Sequence, residues 1–262
     1  SYGLAEEFLA HWLSERQIAP EAVTVGSKWG YTYTAGWQPV AEKHEIKAHT
    51  LANLTRQLAE SRALLGAHLD LYQIHSATLE SGVLENQPVL EELARLRDSG
   101  VRIGLSVSGP QQAETIRQAL EVRVGGVPLF DCVQATWNLL ERSAEIALAL
   151  AHSAGVGVII KEALANGRLT ERNTDANFAA PMRVLETAAR ERSTTVDGLA
   201  LAGVLARPWV DVVLSGAATI AQLHSNLGAM SVAWDQGLED RLEPLMESPE
   251  TYWLTRAELA WN

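Results

Sequence analysis

The stretch LDLYQIHS, Leu69–Ser76, is a short run of mostly apolar residues that ends on an ionisable histidine. Its apolar residues are continuous rather than alternating, which is typical of a strand covered on both faces of a sheet. His75 lies near the carboxyl end of this run, and an imidazole can change its charge near neutral pH. The stretch therefore predicts a buried strand with a candidate functional group at its end.

Runs of the same kind recur along the chain, and segments with helical spacing separate them. Strand starts in the middle of the chain lie about 30 residues apart, which matches the length of a βα unit. Strands that alternate with helices form a parallel sheet, because parallel neighbours need a long crossover. The further predicted strands are Val23–Gly30, Val101–Gly109, Asp131–Asn138, Val156–Leu164 and Val210–Ala217.

Leucine spacing predicts a helix between the first two strands. These leucines recur at intervals of three, four and seven residues and form one apolar face; they are Leu51, Leu54, Leu58 and Leu65.

Capping residues indicate two further helices. Ser108 followed by Pro110 is typical of a helix start. A third helix is predicted between Ser143 at its head and Gly155 at its tail.

Two architectures fit a parallel sheet with alternating helices: a doubly wound open sheet and a closed (β/α)8 barrel. The Gly-x-Gly-x-x-Gly turn of the open nucleotide-binding sheets is absent from the sequence. No linker or composition shift divides the chain, so we expect one domain over residues 1–262.

Bulk properties exclude several partner classes. The net charge of −11 and the pI of about 5.1 disfavour nucleic acid and anionic membrane surfaces. A single cysteine, Cys132, rules out an internal disulfide framework and fits a reducing compartment. With no apolar segment long enough for a membrane span, we expect a cytoplasmic protein.

Polar residues end four of the predicted strands, and in a closed barrel such ends meet at one face where catalysis occurs. They are Lys28, His75, Ser106, Gln134 and Asn138. Each alone is an ordinary solvated or capping residue. Their shared position at the ends of predicted strands is the observation that favours a catalytic site.

Seven stretches in order resemble the aldo-keto reductase superfamily, and the likeness runs from residue 1 to about Leu227. They are SYGLAEEFLAHWL, GSKWG, LDLYQIHS, IGLSVSG, VQATWNLLER, EALANGRLT and SGAATIAQLHSNL. The resemblance implies a (β/α)8 TIM barrel and an NAD(P)H-dependent oxidoreductase. Such an enzyme reduces an aldehyde or ketone, or oxidises the corresponding alcohol or sugar.

The resemblance also implies the catalytic roles. Tyr2 would donate the proton, Lys28 would lie beside it, and His75 would orient the substrate carbonyl. An ammonium about 4 Å from a phenol favours the phenolate by on the order of 4 kcal/mol at an effective dielectric near 20, which suits acid–base work near neutrality. Trp29 follows Lys28 and would line the substrate pocket. The C-terminal stretch from Tyr252 would be either a substrate lid or a packing helix.

The implied cofactor residues fall into three groups. Ser106 and Gln134 would hold the nicotinamide carboxamide and Trp137 would stack on its ring, while Val107 replaces the family's usual asparagine. Small residues and backbone N–H groups of the EALANGRLT loop would bind the pyrophosphate; the positions are Leu164, Ala165, Gly167 and Leu169. The adenosine half would contact Gln222 and Asn226, and Ser215, Gly216 and Ala217 would also bind the cofactor.

The sequence departs from the family pattern in two places. The resemblance implies NADP(H) as the cofactor, but no Lys or Arg lies between Ser215 and Asn226 to pair with a 2′-phosphate. This absence weighs against a preference for NADPH and makes NAD(H) the alternative cofactor. The first two barrel strands, and an aspartate that pairs with the lysine, have no counterpart here. We therefore expect an upstream segment outside this sequence.

Two other function classes are alternatives to the reductase. A metal-dependent hydrolase on the same barrel needs several His, Asp or Glu ligands, but only His75 ends a predicted strand and no His-x-His pair occurs. No metal site is predicted. A cofactor-binding regulatory protein with little turnover is the second alternative, and the oligomeric state is left open.

Overall fold

The computed structural model describes residues 4–34 and 45–259. Its internal contacts group the chain into two compact units, which are described separately. The first unit runs up to Val107 and includes Arg117–Val133. The second comprises Ser108–Ile116 and the chain from Gln134 onward.

All six predicted runs form strands, interleaved with helices. These are β1 Val25–Trp29, β4 Leu69–Ala77, β5 Arg102–Val107, β8 Cys132–Thr136, β9 Gly157–Lys161 and β10 Val212–Val213. Two short antiparallel pairs join β2 Tyr31–Tyr33 to β3 Glu45–Lys47 and β6 Arg123–Val124 to β7 Val127–Pro128. The helices are α1 Ala5–Glu15, α2 Leu51–Leu65, α3 Gln87–Asp98, α4 Gln112–Glu121, α5 Glu145–Ser153, α6 Ala179–Glu191, α7 Val196–Leu205, α8 Ile220–Gly228, α9 Gln236–Leu242 and α10 Pro249–Glu258.

Strands from the predicted runs pair in parallel, as predicted. In the first unit the order is β1-β4-β5, and Lys28 lies opposite Gln73. In the second unit β9 pairs in parallel with β10, with Val212 opposite Ile159, and the residues of β8 from Gln134 onward belong to this unit. The α/β class with a parallel sheet is therefore confirmed, while the closed eight-stranded barrel and the single domain stay predictions.

The predicted helix boundaries are partly confirmed. The leucine-patterned helix is α2, and the Thr50 hydroxyl caps it by accepting the N–H of Asn53 at 3.3 Å. Helix α4 begins at Gln112 rather than at Pro110, because Gly109 turns the chain at a φ of +90°. Helix α5 begins beyond Ser143, whose hydroxyl donates to the Glu141 carboxylate instead of capping the helix.

Each unit buries its own apolar core. In the first, the side chains of Leu54, Ile74 and Leu93 have no exposed surface. In the second, α10 inserts Tyr252 and Trp253 into the cluster that α6 and α7 also line. Burying one large apolar side chain contributes about 1.5–3 kcal/mol. The C-terminal helix therefore packs on this core, and the substrate-lid alternative stays a prediction.

Three aspartates tie neighbouring strands together at their amino ends. The carboxylate of Asp70 accepts the N–H of Val25 at 2.8 Å. Asp131 accepts the N–H of Ile103 at 2.8 Å, and Asp211 accepts that of Val158 at 2.7 Å. These ties fix the start of β1, β5 and β9 against the following strand.

Candidate active site

Lys28 lies on β1 in the first unit and is half-buried. Burial lowers the pKa of its ammonium, and the Cys132 thiol opposes this to a smaller extent. A lowered pKa brings an amine closer to proton exchange at neutral pH. Tyr2, the expected proton donor, lies outside the described residues.

His75 lies on the neighbouring strand β4, two residues beyond the partner of Lys28. With strands about 4.8 Å apart and about 3.3 Å per residue, the backbones of Lys28 and His75 are about 8 Å apart. The Tyr31 ring meets the imidazole edge-on, with ring centroids 4.8 Å apart. Two of the three expected catalytic residues therefore lie on adjacent strands of one unit.

A bulge shapes the backbone around His75. The register between β4 and β5 breaks between Ile74 and Ala77, and Ser76 has a φ of +51°. This left-handed conformation costs a residue with a side chain about 1–2 kcal/mol. Bulges of this kind redirect side chains next to functional sites.

Side chains from outside β4 bond the peptide groups of the bulge. The Nε2 atom of His49 lies 2.9 Å from the His75 carbonyl oxygen. The ammonium of Lys47 donates to the Ser76 carbonyl at 2.8 Å, and the Ser76 N–H donates to the Ser106 hydroxyl oxygen at 2.8 Å. Ser106, predicted for the cofactor, is itself only 1% exposed.

The proposed pocket residue Trp29 points into the interior and is 1% exposed. Its ring meets His49 edge-on at 5.7 Å. Within the described residues its indole N–H has no hydrogen-bond acceptor. Trp29 therefore supports His49 in the structure, and its contact with a substrate stays a prediction.

In the second unit, Gln134 and Asn138 are both buried near the end of β8. The Asn138 amide donates to the Glu162 carbonyl at 2.9 Å and to the Tyr252 hydroxyl at 3.0 Å. Its oxygen accepts the N–H of Leu140 at 2.9 Å. Asn138 thus joins the segment after β8 to the end of β9 and to α10.

Trp137 is fully buried between two arginines. The guanidinium groups of Arg142 and Arg207 lie 5.5 and 5.0 Å from its ring, and both pair with Glu239. The Trp209 ring contacts the Trp137 ring edge-on, with ring centroids 5.7 Å apart. The stacking role that the resemblance implies for Trp137 stays a prediction, because contacts of its own unit occupy its ring.

The loop after β9 has an unusual backbone. Glu162, Ala165 and Asn166 have φ values of +55°, +47° and +53°, and Gly167 has +93°. Most N–H groups of the loop donate to its own carbonyls, as Ala165 does to Glu162 at 2.8 Å. The pyrophosphate contacts that the resemblance implies for this loop stay a prediction.

The segment between β10 and α8 is fixed by amide side chains. The Asn226 amide donates to the Ser215 carbonyl at 2.9 Å. The Gln222 oxygen accepts the N–H groups of Ala218 at 2.8 Å and Thr219 at 3.1 Å, and forms a capping box with Thr219. Gln222 and Asn226 therefore shape this turn, and Gly216 allows it with a φ of +63°.

An ionic cluster at the end of β9 was not predicted. Lys161 donates to the Thr136 hydroxyl at 2.8 Å, and Glu162 pairs with Lys161 at 3.6 Å and Arg256 at 2.8 Å. Burial acts to raise the pKa of Glu162, but the Lys161 and Arg256 charges outweigh it and hold that pKa below its usual value. Lys161 is the last residue of β9 and lies late in the predicted run Val156–Leu164, so the criterion that selected Lys28 would have found it. Lys47 and His49 lie in none of the predicted strands, so this criterion would not have found them.

Metal clusters and membrane-spanning helices are two features that the described part of the chain lacks. No group of three or more His, Cys, Asp and Glu side chains among residues 4–34 and 45–259 could hold a metal ion. Within the same ranges, no helix has the length and apolar character that crossing a membrane requires.

A family model and two curated relatives match this chain. Residues 1–242 match the family model of the Aldo/keto reductase family. The uncharacterized oxidoreductase YrpG of Bacillus subtilis (strain 168) is 23% identical over 278 residues, covering 95% of this chain and 81% of that protein. The uncharacterized oxidoreductase YqkF of the same organism is 26% identical over 227 residues, covering 79% and 67%.

Solved structures show the same fold. The holo form of aldo-keto reductase AKR11C1 from Bacillus halodurans superposes with a TM-score of 0.73 at 21% identity, covering 94% of this chain and 80% of that chain. Its apo form gives a TM-score of 0.67 at 19% identity, with 93% and 77% covered.

Proposed function

The chain belongs to the aldo/keto reductase family, and from this premise we propose that it is an NAD(P)H-dependent oxidoreductase. It reduces an aldehyde or a ketone, or oxidises the corresponding alcohol or sugar, by hydride transfer. The observation that supports this proposal most strongly is the pair Lys28 and His75 on the adjacent parallel strands β1 and β4. We propose likewise that the strands and helices of this chain belong to one (β/α)8 barrel domain.

In this proposal the chain's own residues handle the proton and the substrate oxygen. Tyr2 delivers a proton to the developing alkoxide, and the Lys28 ammonium stabilises the phenolate that is left. His75 donates a hydrogen bond to the carbonyl oxygen, which orients the carbonyl and stabilises the charge that develops on it. A bound nicotinamide supplies the hydride.

The residues present are compatible with a dinucleotide. The hydroxyl of Ser106 accepts the Ser76 N–H, so its proton is left to donate to the carboxamide. The stretch from 163 to 170 contains no acidic residue, so no carboxylate within it repels a pyrophosphate. The charge of Arg168 is already paired with Glu247. NADP(H) and NAD(H) both fit this proposal.

Oxidation of NADPH and of NADH, followed by absorbance with a panel of aldehydes and ketones, tests the function. We expect turnover by the purified protein and its loss in Tyr2→Phe, with the cofactor dissociation constant unchanged. Tyr72→Phe removes a phenol hydroxyl from the core of the first unit and is the matched control that keeps turnover.

Two outcomes contradict the proposal in different ways. Protein that quenches NAD(P)H fluorescence but reduces no member of the panel is a cofactor-binding regulatory protein. Loss of turnover and of cofactor binding together in Tyr2→Phe shows that the role of Tyr2 is wrongly assigned.

A further inference from the structure

We propose that Lys47, His49 and Ser106 form a bulge clamp, a set of positioning residues that hold the β4 backbone so that the His75 imidazole points at the substrate carbonyl. The proposal rests on the function proposed above. None of the three needs to touch the substrate to act in this way, because each bonds the backbone of His75 or Ser76.

The need for a clamp follows from the break in strand pairing. Where β4 loses its register with β5, the peptide groups of His75 and Ser76 lose the neighbour that would otherwise bond them. The three side chains replace those lost bonds at 2.8 to 2.9 Å. A residue with a positive φ such as Ser76 persists only where its surroundings over-determine it.

His49 is a buried member of the clamp. It is 9% exposed, and because a carbonyl only accepts, its Nε2 atom must donate to the His75 oxygen. Burial and the nearby Lys47 charge lower the pKa of His49, although its bond to the His75 carbonyl opposes this. The imidazole is therefore neutral and acts as a hydrogen-bond donor.

Gly30 and Trp29 fix the direction of that donor. A Cβ atom at position 30 would lie 2.6 Å from the His49 ring, and Gly30 has a φ of +125°. Only glycine allows the ring to approach so closely, while Trp29 contacts it edge-on. His49 thus has one orientation, which directs Nε2–H at the strand that carries His75.

A double-mutant cycle between His49 and His75 tests the clamp. The variants are His49→Phe, His75→Ala and the pair, assayed for kcat and KM with a ketone of the panel. A displacement of about 1 Å can cost up to about 100-fold in rate, so we expect His49→Phe to lower kcat by about 10- to 100-fold. In the His75→Ala background the same substitution is expected to change kcat less than about 3-fold, because its effect acts through His75.

Conservative variants separate positioning from folding. A Gln side chain can place its amide N–H where Nε2 lies, so His49→Gln is expected to restore kcat to within about 5-fold of the parent. Lys47 is exposed, so Lys47→Met folds; we expect it to lower kcat by about 3- to 10-fold while Lys47→Arg does not. Cofactor affinity and the melting temperature are measured for each variant.

The outcomes distinguish the clamp from the proposed function. If His75→Ala leaves kcat unchanged, the proposed role of His75 is wrong. If His75→Ala lowers kcat but the His49→Phe effect is equally large in both backgrounds, the clamp is wrong. Equal losses in His49→Gln and His49→Phe, or no loss in Lys47→Met, also overturn it.

Discussion

Replacing Asp131 by Ala is expected to lower the free energy of unfolding by about 1.5–3 kcal/mol, the contribution of a hydrogen bond to a charged group. The carboxylate accepts the N–H of Ile103 at 2.8 Å, at the start of β5. Ile103 has no exposed surface in the parent, so its N–H is bonded to the carboxylate rather than to water. The substitution removes the acceptor of this N–H.

Thermal unfolding followed by circular dichroism measures the effect. In a chain of this length, 1 kcal/mol shifts the melting temperature by about 2–4 °C, so Asp131→Ala should melt about 3–12 °C below the parent. Asp98→Ala is the matched control, since Asp98 is an exposed aspartate that pairs only with Arg97 at the surface among the described residues. Asp131→Asn keeps an oxygen acceptor without the charge and should fall between them.

Asp211 gives an independent repeat of the measurement in the second unit. Its carboxylate accepts the N–H of Val158 at 2.7 Å, and Val158 is equally buried. We expect a loss of similar size in Asp211→Ala. Melting temperatures of Asp131→Ala and Asp98→Ala that agree within about 1 °C would refute the idea that these aspartates tie the strands.

Three further predictions concern individual groups. Burial lowers the pKa of Lys28 from 10.5. Between the lowered pKa and 10.5 the unfolded chain binds more protons than the folded chain, so the free energy of unfolding rises with pH across that window. The melting temperature of Lys28→Met relative to the parent should therefore be highest at neutral pH and fall towards pH 10; a constant difference contradicts this. Burial raises the pKa of the Cys132 thiol to about 12, so an aromatic disulfide reagent should react at least about 10-fold faster with unfolded than with folded protein. Equal rates would show that Cys132 is accessible. Because the segment from Ser215 to Asn226 lacks a cation, fluorescence titration should give a dissociation constant for NADPH no lower than that for NADH, and a 10-fold preference for NADPH would be inconsistent with this.

The strands could be predicted because continuous apolar runs reflect burial on both faces of a sheet. Helix starts were harder, since a capping residue competes with other local bonds. Ser143 has the side chain of a cap, but the neighbouring Glu141 accepts its hydroxyl proton. Pro110 is typical of a first helical turn, but Gly109 turns the chain there and α4 begins two residues later, at Gln112. Which local bond or turn forms depends on three-dimensional geometry, which the spacing of residues in the sequence does not reveal.

Some residues of the candidate site could likewise be predicted from the sequence, and others could not. Lys28 and His75 could be selected because both lie at the carboxyl ends of strands. Lys47 and His49 could not, because they act on His75 across more than 25 residues of chain and lie outside the main strands. The burial of Trp137 likewise depends on Arg142 and Arg207, and the long-range pairing of both with Glu239 leaves no local pattern.

The left-handed residues of the loop after β9 also bear on how this protein would respond to laboratory evolution. Glycine adopts such conformations without the steric cost that other residues carry. Selection for heat tolerance alone should therefore recover Asn166→Gly early, since Asn166 is exposed and has a φ of +53°. If variants selected for turnover keep asparagine at this position while those selected for heat tolerance lose it, its side chain serves the reaction rather than the shape of the loop.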